Sequence, residues 1–197
     1  DASTDNTLSE ITSLKNTYNL NNWKIVSNLT NKRRGYNISP YNKNVIEFMD
    51  NDEDILLFVD GDDWLFDEHV LDKLNNYYNK INPWMTYGGM YTYPEGKRAY
   101  PQNSPYNNTI HKNNEYRKDS WRASHLRTFK WWLYKRINTK DLKHSKTNTY
   151  YFHAEDLATS YPCLEMCPKE KIGVVDFPTY VFNATPSNRQ RGVERET

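Results

Sequence analysis

Ile55, Leu56, Leu57, Phe58 and Val59 form an unbroken apolar run that ends directly on Asp60-Gly61-Asp62-Asp63. A run of this length, apolar at every position and carrying β-branched and aromatic members, predicts a strand buried on both faces, as in a sheet covered by helices. Ligands of open α/β sheets bind beyond the carboxyl ends of the strands, and Asp60, Asp62 and Asp63 fall at that end. Carboxylates so close raise one another's pKa. A divalent cation removes this penalty: Mg²⁺ and Mn²⁺ take carboxylate oxygens and accept phosphate oxygens as further ligands. Gly61 would let the backbone turn between the acids. The motif therefore points to a metal–diphosphate site. Taken alone it also fits an acidic turn before a helix, with Asp67 and Glu68 complementing the helix dipole.

With 197 residues the chain is long enough for one sizeable domain. Its 26 basic and 25 acidic residues nearly cancel, which leaves no basic footprint for nucleic acid. Only 37% of residues are hydrophobic while 15% are aromatic, so aromatic rings must carry much of the core. No apolar run reaches the length of a membrane span and no signal peptide is recognisable, which predicts a soluble, cytoplasmic protein. Cys163 and Cys167 are the only cysteines. They are four apart in a predicted helix, a poor disulfide geometry and too few ligands for zinc, so they read as buried thiols.

Along the chain, Leu8, Ile11, Leu14 and Tyr18 share one face of a predicted helix capped by Asp5 or Thr7. Trp23 to Val26 reads as a short strand, Asn31 to Gly35 as a basic turn, and Tyr41 to Met49 as a helix. Asp67 to Lys80 predicts an amphipathic helix with Val70, Leu71, Leu74, Tyr78 and Ile81 inward, ended by Pro83. Trp84 to Tyr91 is a second buried strand, whose Gly88 and Gly89 permit close approach of a ligand or a neighbouring chain. Residues 94–114 read as a long loop or a pair of short strands, suited to acceptor binding. Ser120 to Asn138 reads as a helix with Trp121, His125, Phe129, Trp132 and Leu133 on one face. Glu155 and Asp156 open another helix, interrupted at Pro162. Residues 171–175 and 179–182 look like two strands, and 186–197 like a tail or linker.

Three ordered motifs carry a resemblance: Asp1-Ala2-Ser3-Thr4-Asp5-Asn6-Thr7, the basic turn at Arg34-Gly35, and Leu57-Phe58-Val59-Asp60-Gly61-Asp62-Asp63-Trp64-Leu65. Together they resemble nucleotide-sugar-dependent glycosyltransferases of the family 2 type with the GT-A fold. The likeness covers about residues 1–90 closely and runs more loosely to 183. It implies an α/β domain over 1–185 with a mostly parallel, Rossmann-like central sheet flanked by helices. Residues 1–92 would form the nucleotide-binding half and 93–185 the acceptor half. In the family the first motif follows a strand that this sequence does not contain, so a preceding N-terminal piece is expected. Tyr41-Asn42 also stands where many members have Arg-Asn, which leaves Arg33 or Arg34 to compensate.

The resemblance further implies a metal-dependent transfer of a sugar, with inversion, from a nucleoside-diphosphate sugar (UDP in the first instance) to the hydroxyl of a glycan or other acceptor. Asp62, Asp60 and His153 would serve Mn²⁺ or Mg²⁺. Asp1, Arg34, Asp60, Gly61 and Asp63 would bind the nucleotide sugar. Trp64, Gly88, Gly89, His125 and Arg127 would lie near donor or acceptor sugar. Asp156 would act as catalytic base, with Glu155 as the alternative. Two other readings remain open at this point. A haloacid-dehalogenase-like phosphatase also ends a strand in Asp-x-Asp, although Trp64 stands where those proteins usually carry Thr or Val. A non-catalytic nucleotide-sugar-binding module is the other, ranked below an active transferase because Asp60, Asp62 and Asp156 are all in place.

Overall fold

The computed structural model describes residues 2–100, 102–151 and 153–185. They divide into two compact units, one formed by residues up to Asp50 with Asn138–Ala158, the other by Asn51–Ile137 with the residues from Thr159 onward. The boundary near Ala158 falls within a single helix.

The larger unit holds a sheet of six strands: β1 (Ile55–Leu57), β2 (Trp64–Leu65), β3 (Met85–Tyr93), β4 (Lys97–Arg98), β5 (Thr128–Lys130) and β6 (Ile172–Asn183). Their order is β1-β5-β3-β6-β2, with β4 added to β3. The sheet is mixed rather than mostly parallel. Only β3 and β6 run parallel, while β1–β5, β3–β5, β3–β4 and β2–β6 are antiparallel. The difference arises at β5. The stretch predicted as a helix over Ser120 to Asn138 instead runs irregularly to Arg127, enters β5 between β1 and β3, and makes only a short helix, α6 (Trp131–Tyr134). Thr128 and Phe129 are fully buried there, and Thr128 Oγ1 lies 2.7 Å from Tyr78 Oη and 2.6 Å from Thr86 Oγ1. A β-branched residue that satisfies its hydroxyl across two neighbours suits a central strand better than a helix.

β1 is shorter and more exposed than an all-apolar run implies, because it lies at the edge of the sheet: Ile55 and Val59 are part-exposed. The amphipathic helix after it, α4 (Val70–Ile81), buries Val70, Leu74 and Tyr78 at four-residue spacing. Leu71 and Ile81 point outward. Asn82 closes the helix in the left-handed conformation, with Pro83 next. Val70 and Leu74 pack with Met90, Leu126, Val175 and Tyr180 into one apolar cluster. The two strands expected over 171–182 are a single strand, β6, whose register with β3 shifts between Gly88 and Met90. The glycine pair explains the tight fit. A Cβ on Gly89 would stand 2.3 Å from the Phe177 carbonyl oxygen, and one on Gly88 would stand 2.8 Å from that of Val175. The 94–114 stretch is not wholly loop, since it includes β4 and a helix, α5 (Asn108–Asn113) capped by Asn107.

The smaller unit contains α1 (Thr7–Thr17), α2 (Arg34–Asn37), α3 (Lys43–Ile46) and the first turn of α7 (Glu155–Met166), whose later turns with Pro162 belong to the larger unit. Neither Asp5 nor Thr7 is the cap: the N-cap position is Asn6, whose side chain makes no capping bond, while Asp5 Oδ1 accepts the Thr7 amide at 3.0 Å in the turn before the helix. The face of α1 expected to turn inward is exposed: Leu8, Ile11, Leu14 and Tyr18 all reach solvent. Trp23 to Val26 forms no strand.

Candidate functional site

In the larger unit, residues 58–63 carry the chain from β1 at one edge of the sheet to β2 at the other. Asp60, Asp62 and Asp63 lie on this loop, and each offers an oxygen within 4.8 Å of those of the other two. Asp62 is exposed, and Asp60 and Asp63 are half-buried. Hard carboxylate oxygens at that spacing suit Mg²⁺ or Mn²⁺, which keep part of their shell for water and phosphate.

The three acids are not equivalent. Asp63 is fastened to β6: Tyr180 Oη donates to its Oδ2 at 2.8 Å and the Asn183 amide donates to its Oδ1 at 2.8 Å. Burial pushes the Asp63 carboxyl above the usual carboxylate range, and the negative charges of Asp62 and Asp60 add to the rise. The hydrogen bonds from Asn183 and Tyr180 oppose it. The Asp60 amide donates to the same Tyr180 oxygen at 3.1 Å, and the Asp63 amide donates to the Asp60 carbonyl at 3.1 Å. Gly61 adopts no left-handed φ, and a Cβ there would meet nothing within 4 Å, so the turn does not depend on glycine.

His125, expected on a helix, lies in the irregular segment before β5. Its ring stacks on Tyr180 with centroids 4.6 Å apart. Arg127 is buried two residues on. Trp64 is part-exposed on β2 and meets the Tyr93 ring edge-on at 5.5 Å. Gly88 and Gly89 are taken up by packing of β3 on β6, which accounts for both glycines without a sugar. Tyr180 and Asn183 were not singled out by sequence reasoning. A tyrosine in a predicted strand signals nothing until the register Leu65↔Tyr180 and Trp64↔Val181 brings β6 beside the acidic loop.

In the smaller unit, the basic turn packs on the segment that leads into α7. Arg33 Nη1 donates to the Tyr150 carbonyl at 3.2 Å, and a Cβ on Gly35 would stand 2.9 Å from the Tyr151 carbonyl oxygen. Arg34 Nε lies 2.9 Å from Glu155 Oε1. Asn42 is buried, caps α3 through the Asn44 amide at 3.1 Å, and donates to the Asn37 carbonyl at 3.0 Å, so its role is local. Asp156 is half-buried in the first turn of α7, and its Oδ1 accepts the Leu157 amide at 2.8 Å. His153 is exposed. Asp1 and the 186–197 tail lie outside the described residues. Among the described residues no helix is long and apolar enough to cross a membrane.

No protein-family model and no curated protein sequence matches this chain. Its fold, however, matches a crystal structure of S. aureus TarS (residues 1–349) in complex with UDP, with a TM-score of 0.55 at 18% identity. The match covers 97% of this chain and 51% of that one, so the chain spans about half the length of the structure it resembles. What the two chains share is the fold, which in this chain is an α/β architecture built on a mixed sheet.

Proposed function

We propose that the chain is the nucleotide-sugar-binding and catalytic part of a metal-dependent glycosyltransferase, which moves a sugar from a UDP-sugar to a hydroxyl acceptor with inversion. The observation that carries this reading is the convergence of Asp60, Asp62 and Asp63 on one loop, in a fold shared over nearly the whole chain with a UDP-complexed protein. The family resemblance of the three ordered motifs supports the choice of reaction and its stereochemistry.

In this reading residues 1–92 serve the nucleotide and 93–185 the acceptor. Asp60 and Asp62 hold Mn²⁺ or Mg²⁺. The cation, when bound, supplies positive charge that offsets the charge developing on the leaving diphosphate. Asp63 keeps the loop in place through β6. Asp156 accepts the proton of the acceptor hydroxyl as its oxygen bonds to the anomeric carbon and the bond from that carbon to the diphosphate oxygen breaks. The transition state has oxocarbenium character. Glu155, paired with Arg34, holds the start of α7. Trp64 and Tyr93 offer an exposed aromatic edge to a sugar face.

Release of UDP from a panel of UDP-sugars in the presence of Mn²⁺ tests the reading. It predicts release with at least one donor, dependence on the metal, and loss of both in Asp62→Ala. Metal-independent release that survives Asp62→Ala contradicts it.

A further inference from the structure

Tyr180 is a core residue with a polar tip. It is 0% exposed, and its ring packs with Val70, Leu74, Met90, Leu126 and Val175. His125 stacks on one face. A ring held this way has no freedom to follow a moving loop. Its hydroxyl uses both of its hydrogen-bonding capacities on the acidic loop: the single proton goes to Asp63 Oδ2, and a lone pair takes the Asp60 amide. Three residues along β6, the Asn183 amide takes the other Asp63 oxygen. Both oxygens of Asp63 thus accept hydrogen bonds from β6, and the Asp60–Asp63 stretch is tied to that strand at both ends, through the backbone amide of Asp60 and the side-chain carboxylate of Asp63.

We propose that Tyr180 is a positioning residue for the cation site, its hydroxyl fixing the loop so that Asp60 and Asp62 present their carboxylates while Asp63 serves as anchor rather than ligand. The inference rests on the metal reading above and adds to it a division of labour among the three acids. Groups that orient metal ligands through hydrogen bonds typically change metal affinity by about 10–100-fold when removed.

The test is titration of the chain with Mn²⁺, followed by calorimetry and by electron paramagnetic resonance of the free ion, with and without UDP. Wild type is compared with Tyr180→Phe, Asp63→Asn and Asp62→Asn, with circular dichroism confirming the fold of each. Tyr180→Phe keeps the ring and its stack and removes only the hydroxyl. Asp63→Asn keeps an oxygen acceptor and serves should Tyr180→Phe not fold. The expected result is abolished binding in Asp62→Asn and affinity lower by about tenfold or more in Tyr180→Phe and Asp63→Asn. Wild-type affinity in Tyr180→Phe, even with a lowered Tm, makes the tyrosine merely structural and overturns the proposal. Abolition in Asp63→Asn as complete as in Asp62→Asn makes Asp63 a ligand and also overturns it. Absence of Mn²⁺ binding in the wild type, seen before any substitution, overturns the metal reading itself and the positioning role with it.

Discussion

Arg34 and Glu155 form an ion pair in the smaller unit, Nε to Oε1 at 2.9 Å, with the glutamate side chain 12% exposed. The pair distinguishes Glu155 from Asp156, the acid next to it in the sequence. Glu155 is tied to a guanidinium 121 positions earlier in the chain, and that contact joins the basic turn to α7. In the proposed reaction this leaves Asp156 to take the proton. Asp156→Asn is expected to lower kcat by about 10²–10⁴-fold while UDP affinity persists. Glu155→Gln is expected to lower kcat far less and to destabilise the protein by about 1–3 kcal/mol, since the pair is only partly covered. Steady-state UDP release and chemical denaturation of both variants check this. A reversed ranking in kcat makes Glu155 the base.

Gly89 and Gly61 make a contrasting pair. Gly89 has φ +77°, and a Cβ there would stand 2.3 Å from the Phe177 carbonyl oxygen and 2.6 Å from Thr179 Oγ1. Gly89→Ala therefore combines backbone strain with overpacking against backbone, and should cost about 2–5 kcal/mol. Gly61→Ala meets nothing and should change stability by less than about 0.5 kcal/mol. Urea unfolding midpoints of the two variants measure the difference. Equal effects would contradict the account of how β3 packs on β6.

Cys163 and Cys167 are buried, and burial pushes the Cys167 thiol up to about 12 and the Cys163 thiol well above its ordinary value. Only the thiolate is nucleophilic. Native protein at about pH 8 should therefore take up no iodoacetamide, whereas denatured protein takes up two equivalents, as read by intact mass. The folded state binds these protons more tightly than the unfolded state, in which a cysteine titrates near about 8.5. The thiols' contribution to stability is fully present below that value and declines as pH rises through it toward the folded pKa. The urea midpoint should fall between about pH 8.5 and 10, and less steeply in Cys167→Ala. Rapid alkylation of the native protein would contradict the burial.

Elements that depend on near neighbours were legible in the sequence. The four-residue spacing of Val70, Leu74 and Tyr78 marks α4, and the aromatic- and glycine-rich stretch from Trp84 to Tyr91 marks β3. The acidic cluster was legible too, because adjacent residues carry it. What depended on pairing across the chain was not. The aromatic spacing from Trp121 to Leu133 fits a helix, yet the segment becomes a buried strand because Phe129 finds partners in both Leu56 and Met85. That single misplacement hides the antiparallel centre of the sheet. The face of Leu8, Ile11 and Leu14 has helical periodicity, but periodicity does not reveal whether anything covers it. The clamp of Tyr180 on Asp63 joins residues 117 positions apart, and no local pattern announces it.

The measurement that bears most directly on the proposed function is thermal unfolding of the chain with UDP, with and without Mn²⁺, beside Asp62→Ala. A ligand that binds only the folded state at about 100 times its Kd adds about 2.7 kcal/mol of stability, which raises Tm by several degrees. The predicted result is a rise with UDP that requires Mn²⁺ in the wild type and disappears in Asp62→Ala. A folded chain whose Tm is unmoved by UDP and Mn²⁺ together, or moved equally in Asp62→Ala, would contradict a metal–diphosphate site at the Asp60–Asp63 loop.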